Sequence, residues 1–199
     1  MTTFVHTLHR RTVRPLLGCL LALASHASVR ADQLEAWHPP AVPSLSLPVL
    51  DGATSQLGAE AGKIVIVHFF ATWCEPCRDE LKSLERLAET LATRPFQILA
   101  VDVGEPGDRV RRFLERNKIS LRFPVLIDLD KQVMRAWDVE ILPTSYVLDG
   151  GLCPLWKVAG ALEWDTGLTL AMLEAEVARL EQAEGRTSQE NCSVKGGTQ

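Results

Sequence analysis

Cys74 and Cys77 stand three residues apart in Trp73-Cys74-Glu75-Pro76-Cys77, directly after the apolar run Ile64 to Phe70 and directly before a helix-like stretch, Arg78 to Leu91. A strand that feeds a CxxC at a helix N-terminus has a physical reason to be a redox site. The unpaired N–H groups and the dipole of the first helical turn favour an anion there. Cys74 can be held as a thiolate, the attacking species in disulfide exchange. Cys77, one turn on, can close a ring with it and release a partner. A CxxC can also be half of a zinc site, but a four-ligand site needs a second ligand pair at similar spacing. Cys19, Cys153 and Cys192 are isolated, and all five histidines (His6, His9, His26, His38, His68) precede the motif. The pattern therefore reads as a redox-active Cys74/Cys77 pair with no metal and no cofactor.

The elements around the motif alternate. Leu45-Ser46-Leu47 and Val49-Leu50 beside Asp51-Gly52 suggest a small hairpin. Ile64 to Phe70 is apolar on both faces, as a central buried strand would be. Leu81, Leu84, Leu87, Ala88 and Leu91 form an amphipathic stripe on the following helix. Phe96 to Val103 reads as a second buried strand, Asp108 to Lys118 as a charged helix, Phe123 to Ile127 as a short strand and Lys131 to Trp137 as a short helix. Thr144 to Leu148 and Leu152 to Val158 form a hairpin around Asp149-Gly150-Gly151, with Pro154 marking an edge strand. Thr169 to Leu180 is a final amphipathic helix. This order predicts an α/β fold with a central mixed β-sheet flanked by helices.

The N-terminus reads as a secretory signal peptide over residues 1–31: Arg10, Arg11 and Arg14, then the apolar core Leu16 to Ala24, then small residues at Val29-Arg30-Ala31 or Ser25-His26-Ala27. That apolar core is about nine residues against the roughly 20 of a spanning helix. Residues 32–40 read as a polar, proline-dotted linker, 41–182 as the domain and 183–199 as a disordered tail. Without the four arginines of residues 1–31, 21 basic residues become 17 against 25 acidic, a net charge of −8. No basic patch argues for nucleic acid. The export signal predicts a periplasmic location, where disulfide chemistry is favoured, with a membrane anchor as the alternative.

Across residues 41 to about 180 the chain resembles the TlpA/ResA-like family of exported thiol–disulfide oxidoreductases, which have a thioredoxin fold. The matching pieces are Ala41-Val42-Pro43 through Leu50-Asp51-Gly52, Phe69-Phe70-Ala71-Thr72-Trp73-Cys74-Glu75-Pro76-Cys77-Arg78, Glu80, Phe123-Pro124-Val125-Leu126, Val139 through Leu142-Pro143-Thr144-Ser145, and Gly160. The resemblance implies a thioredoxin fold with an N-terminal hairpin extension and a central insertion. It also implies a cis-proline at Pro143 facing the CxxC, with Trp73, Glu75, Pro76, Leu142 and Pro143 on the substrate side. Cys-Glu-Pro-Cys resembles ResA-type reductants, which act on haem-less cytochrome c. The partners so implied are exported proteins bearing disulfides, apocytochrome c among them, and a membrane thiol that donates electrons to a monomer.

His68 stands where thioredoxin has a buried Asp and TlpA-like proteins commonly have Asn. It shares a strand face with Ile64, Ile66 and Phe70. It is either a shuttle for the Cys77 proton or a neutral, hydrogen-bonded core histidine; burial favours the second. Glu80, three residues beyond Cys77 on the same helix side, matches a family glutamate. It is either a proton acceptor for the resolving thiol or a solvated helix residue. Lys82 stands where the family has proline. Glu75 is expected on the surface, where its charge opposes the Cys74 thiolate and favours a reducing couple. Cys153 and Cys192 either pair or remain separate thiols.

Three function classes fit. The first is a protein-disulfide reductase. The second is a peroxide-reducing redoxin, although Phe70 occupies the place where the peroxidatic motif has proline. The third is a copper-handling module on the same fold, although no histidine follows Cys77.

Overall fold

The computed structural model describes residues 34–50 and 52–184. The expected signal peptide, its cleavage site and the segment 185–199 lie outside the described residues. Six strands form one mixed sheet: β1 (Glu35–Ala36), β4 (Ile64–Phe70), β5 (Phe96–Val103), β6 (Val125–Asp128), β7 (Thr144–Leu148) and β8 (Pro154–Ala159). Their order is β1-β8-β7-β4-β5-β6. β4, β5 and β6 are parallel, whereas β7, β8 and β1 run antiparallel to their neighbours. All seven residues of β4 are buried, which follows from its place between β5 and β7 with packing on both faces.

On one face, α1 (Glu75–Thr90), α2 (Gly107–Asn117) and α4 (Gly167–Glu184) cover Ile64, Ile66, Phe70, Ile98 and Ala100. α1 presents Cys77, Glu80, Leu81, Leu84 and Leu87 inward, one side of a 3.6-residue repeat. Pro76 in its first turn lacks an N–H that would be unpaired there anyway. On the other face, α3 (Gln132–Ala136) and Trp137 pack with Trp37, Phe69 and Tyr146. The Tyr146 hydroxyl donates to the Trp137 carbonyl at 2.5 Å. Asp128, at the end of β6, accepts from the N–H groups of Gln132, Val133 and Met134 and so fixes the start of α3.

Four expectations need correction. The expected hairpin is present, but its second strand is β3 (Thr54–Gln56), paired with β2 (Ser46–Pro48), not Val49-Leu50; Val49 closes the turn through Ala53 and Gly52 and also bridges Leu126, and Leu50 N–H donates to the Val125 carbonyl. Residues 34–40 of the expected linker are no free linker, because β1 pairs with Trp156 and Lys157 and Trp37 packs against the aromatic cluster. β8 is not an outer strand, since β1 lies beyond it; Pro154 sits past the β1 partners Trp156 and Lys157, at the irregular end of the β7–β8 pairing. Ala183 and Glu184 belong to α4, not to a tail. Among the described residues no helix is long and apolar enough to cross a membrane.

Candidate active site

The parallel strands β4 and β5 end side by side, with Phe70 opposite Asp102. Beyond Phe70 the chain makes a turn closed by Cys74 N–H donating to the Ala71 carbonyl at 3.1 Å. Thr72 and Trp73 are its central residues. Cys74 is the N-cap of α1 and makes no side-chain cap bond. Its sulfur therefore enters where first-turn N–H groups lack intrahelical acceptors. Cys74 and Cys77 form a disulfide with Cα atoms 5.3 Å apart. Cys74 is only 5 % exposed and Cys77 fully buried. The nucleophile is thus reachable at one edge rather than openly exposed.

Large apolar side chains stand exposed around that edge, with the charged Glu75 among them. Trp73 is 61 % exposed and Ile141 52 %. Glu75 and Pro76 are exposed, Leu142 half-buried and Pro143 buried. The Leu142–Pro143 peptide is cis. Thr144, the next residue, pairs with Phe69, so Pro143 stands at the CxxC end of the sheet. Sequence reasoning did not single out Ile141; its large apolar side chain beside a matched proline was the available signal.

Beneath the disulfide lies a closed polar group. His68 is fully buried, and burial pushes its pKa down to about 3. It is neutral at physiological pH. Its Nδ1 shares a hydrogen bond with Ser145 Oγ at 2.8 Å and stands 3.7 Å from Glu80 Oε1. Glu80 is 2 % exposed, which removes the solvated alternative. Trp164 Nε1 donates to its Oε1 at 2.6 Å. Trp164 is itself held on α1. Its backbone N–H donates to Ser83 Oγ, Ser83 donates to Asp165, and Arg86 Nε donates to Asp165 at 2.6 Å. Arg86 and Ser83 hold the Asp165 carboxyl below its ordinary range. Helix α1 runs unbroken through Lys82, which pairs with Asp79.

A second buried polar group flanks the turn. Glu105 accepts from Thr72 N–H at 2.6 Å and from the Thr72 hydroxyl at 2.8 Å. Arg109 Nε sits 2.7 Å from the same carboxylate. Asp102, fully buried beside Glu105, has its pKa raised to about 8, first by burial and then by the charge of Glu105. Neither this group nor Trp164 was found from sequence. Among the described residues no cluster of His, Cys, Asp and Glu is placed to hold a metal ion. Cys153 is disulfide-bonded, which removes the separate-thiol alternative for it; Cys192 lies outside the described residues.

The model of the AhpC/TSA family matches residues 40–151. The thiol–disulfide oxidoreductase ResA of Bacillus subtilis is 31 % identical over 134 residues, 67 % of this chain and 74 % of that protein. The ResA of Geobacillus thermodenitrificans is 38 % identical over 107 residues, 54 % of this chain; the match spans 60 % of that relative's length. A crystal structure of a thiol:disulfide interchange protein of the thioredoxin family from Chlorobium tepidum superimposes with a TM-score of 0.58 at 25 % identity, covering 73 % of this chain and 97 % of that one.

Proposed function

The chain belongs to the AhpC/TSA family, and on that premise we propose that it is an exported thiol–disulfide oxidoreductase that reduces protein disulfides through Cys74 and Cys77. The observation that carries this reading is the Cys74–Cys77 disulfide at the start of α1 with a buried glutamate one turn behind Cys77. The likeness to ResA relatives supports the same chemistry.

In the reductive direction the Cys74 thiolate attacks a substrate disulfide. One substrate sulfur bonds to Cys74 and the other leaves as a thiolate that takes a proton from water. Cys77 then gives its proton to Glu80 and attacks Cys74. The Cys74–Cys77 bond forms, the mixed disulfide breaks, and the second substrate sulfur leaves. Two electrons have passed to the substrate. Glu80 suits the acceptor role because Trp164 fixes its carboxylate in a site that bulk water does not reach. His68 suits a supporting role, since a neutral imidazole bonded to Ser145 packs that site without adding charge.

The exposed Trp73 and Ile141 suit an extended apolar segment of a substrate. Export is the reading of the N-terminal Arg10-to-Ala31 pattern. Apocytochrome c is the finer substrate assignment, resting on the Cys-Glu-Pro-Cys likeness, and a membrane thiol is the electron source a periplasmic reductant requires. The family match also admits peroxide reduction, but Phe70, buried in the core, stands where that chemistry has its proline.

The test is trapping in the native host. Cys77→Ser should leave substrate covalently on Cys74, identifiable by mass spectrometry after non-reducing separation. Peroxide consumption by the wild type, retained in Cys77→Ser and with no protein trapped, would replace the reductase reading with the peroxidase one.

A further inference from the structure

We propose that Glu105 is a positioning residue of the redox site: its carboxylate grips the turn that presents Trp73 and Cys74. The proposal rests on the reading of Cys74 as the nucleophile.

Turn Ala71–Cys74 is held together by only one backbone hydrogen bond, Cys74 N–H to Ala71 C=O. Its first central residue, Thr72, would otherwise bury an N–H and a hydroxyl. Both are satisfied by one carboxylate thirty-three positions away, at 2.6 and 2.8 Å. Hydrogen bonds to an ionised acceptor are shorter and stronger than neutral ones. They act on the residue two before the sulfur, so they set where Cys74 enters α1 and how Trp73 faces outward. Glu105 is held in turn. Arg109, one helical turn into α2, lies 2.7 Å from Oε1 and balances the charge.

Asp102 completes the arrangement. It points from β5 to the same sheet face as Phe70 and His68, and Ile127 is its neighbour on β6. Neither of its carboxyl oxygens has a hydrogen-bond partner within reach among the described residues, and burial first, then the charge of Glu105, raises its pKa to about 8. Two acids can lie together in a dry site when they hold one proton between them. The ionisable groups around Asp102 are Glu105 and Arg109 from the α2 side and His68, two residues earlier on β4 than Phe70. His68 is neutral, so Arg109 is the one nearby cation among them. Held neutral by burial and by the charge of Glu105, Asp102 adds no second negative charge near Cys74.

The experiment uses the full chain, reduced, with Thr72→Val, Thr72→Ser and Glu105→Gln. Alkylation of Cys74 by iodoacetamide is followed against pH, together with equilibration in glutathione buffers and thermal melting. Thr72→Val removes the hydroxyl bond without changing charge. A slackened turn should stabilise the Cys74 thiolate less. The alkylation profile should move to higher pH in Thr72→Val and Glu105→Gln. The glutathione equilibrium should move toward the disulfide by at least about threefold, or about 14 mV. Thr72→Ser, which keeps the donor, should match the wild type. Unchanged thiol profiles in folded but less stable Thr72→Val protein would reduce Glu105 to a purely structural role. Faster alkylation in Glu105→Gln would show that its charge, not its grip, is what Cys74 feels. Either result overturns the proposal. Failure of Cys74 reading itself is separate: Cys74→Ser would then still form mixed disulfides.

Discussion

Replacing Asp102 with Asn should change how stability depends on pH, because the fold buries two groups whose protonation costs have opposite signs. The folded-state pKa of His68 is lowered from 6.5 to about 3. Below 6.5 the unfolded chain takes up a proton that the folded chain refuses, so His68 makes stability fall as pH drops toward 3. The pKa of Asp102 is raised from 3.8 to about 8. Above 3.8 the unfolded chain releases a proton that the folded chain keeps, so Asp102 makes stability fall as pH rises toward 8. Each group contributes about 1.36 kcal/mol per pH unit inside its window. Between about 4 and 6.5 the two slopes cancel. Between about 6.5 and 8 Asp102 acts nearly alone, and the wild type should lose about 1–2 kcal/mol. In Asp102→Asn that upper loss should vanish. The unopposed His68 should then appear as a rise of about 3 kcal/mol from pH 4 to pH 6.5. His68→Asn should do the reverse, with stability falling steadily across the whole range. Urea unfolding of the oxidised protein at half-unit intervals of pH measures this without interference from thiol ionisation. A wild-type curve that is flat from 6.5 to 8, or an Asp102→Asn curve parallel to the wild type, would refute the assignment of a buried neutral acid beside Glu105.

Three further outcomes are expected. Cys74→Ser should abolish mixed-disulfide formation whereas Cys77→Ser should accumulate it, because only Cys74 is reachable at the helix start; alkylation of the reduced single-cysteine variants at neutral pH checks the order of attack. Trp164→Phe removes the donor to Glu80, and a double-mutant cycle with Glu80→Leu, which removes the acceptor, should show a coupling of about 0.5–1.5 kcal/mol, as for a typical hydrogen bond; a coupling near zero in denaturant titrations would mean that the indole serves packing alone. Glu75→His, at an exposed position beside Cys74, should raise the reduction potential of a couple expected below roughly −200 mV, with about 30 mV reporting 1.4 kcal/mol; a wild-type value near that of a strong oxidant would make this protein a disulfide donor.

The parts of the fold that were legible in sequence are those written in local patterns. β4 was readable because a run of six apolar residues broken only by His68 suits a strand covered on both faces. α1 was readable because Leu81, Leu84 and Leu87 repeat at helical spacing. The CxxC was readable because its chemistry needs only a strand end and a helix start. Local pattern failed where pairing partners are distant. Val49 closes the expected hairpin turn, but its second partner, Leu126, is reached only across the fold. Residues 35 and 36 look like linker, being exposed, and are strand only because β8 offers an open edge.

The same limit applied, more sharply, to the polar groups around the disulfide. A glutamate at position 80 is equally consistent with solvent and with burial until the chain brings Trp164 to it across 84 positions. Glu105 reads as one acid in a polar loop until β4 and β5 align and place it under Thr72. Residue type supplies the donors and acceptors, but only the register of β4 against β5 and the docking of residues 162–165 on α1 decide which of them meet. The cysteines could be named from sequence because their function is carried by spacing along one helix. What adjusts those cysteines is carried by strands and loops that meet only in the folded chain. A search for modifiers of such a site is therefore better begun at the ends of neighbouring strands than along the motif itself.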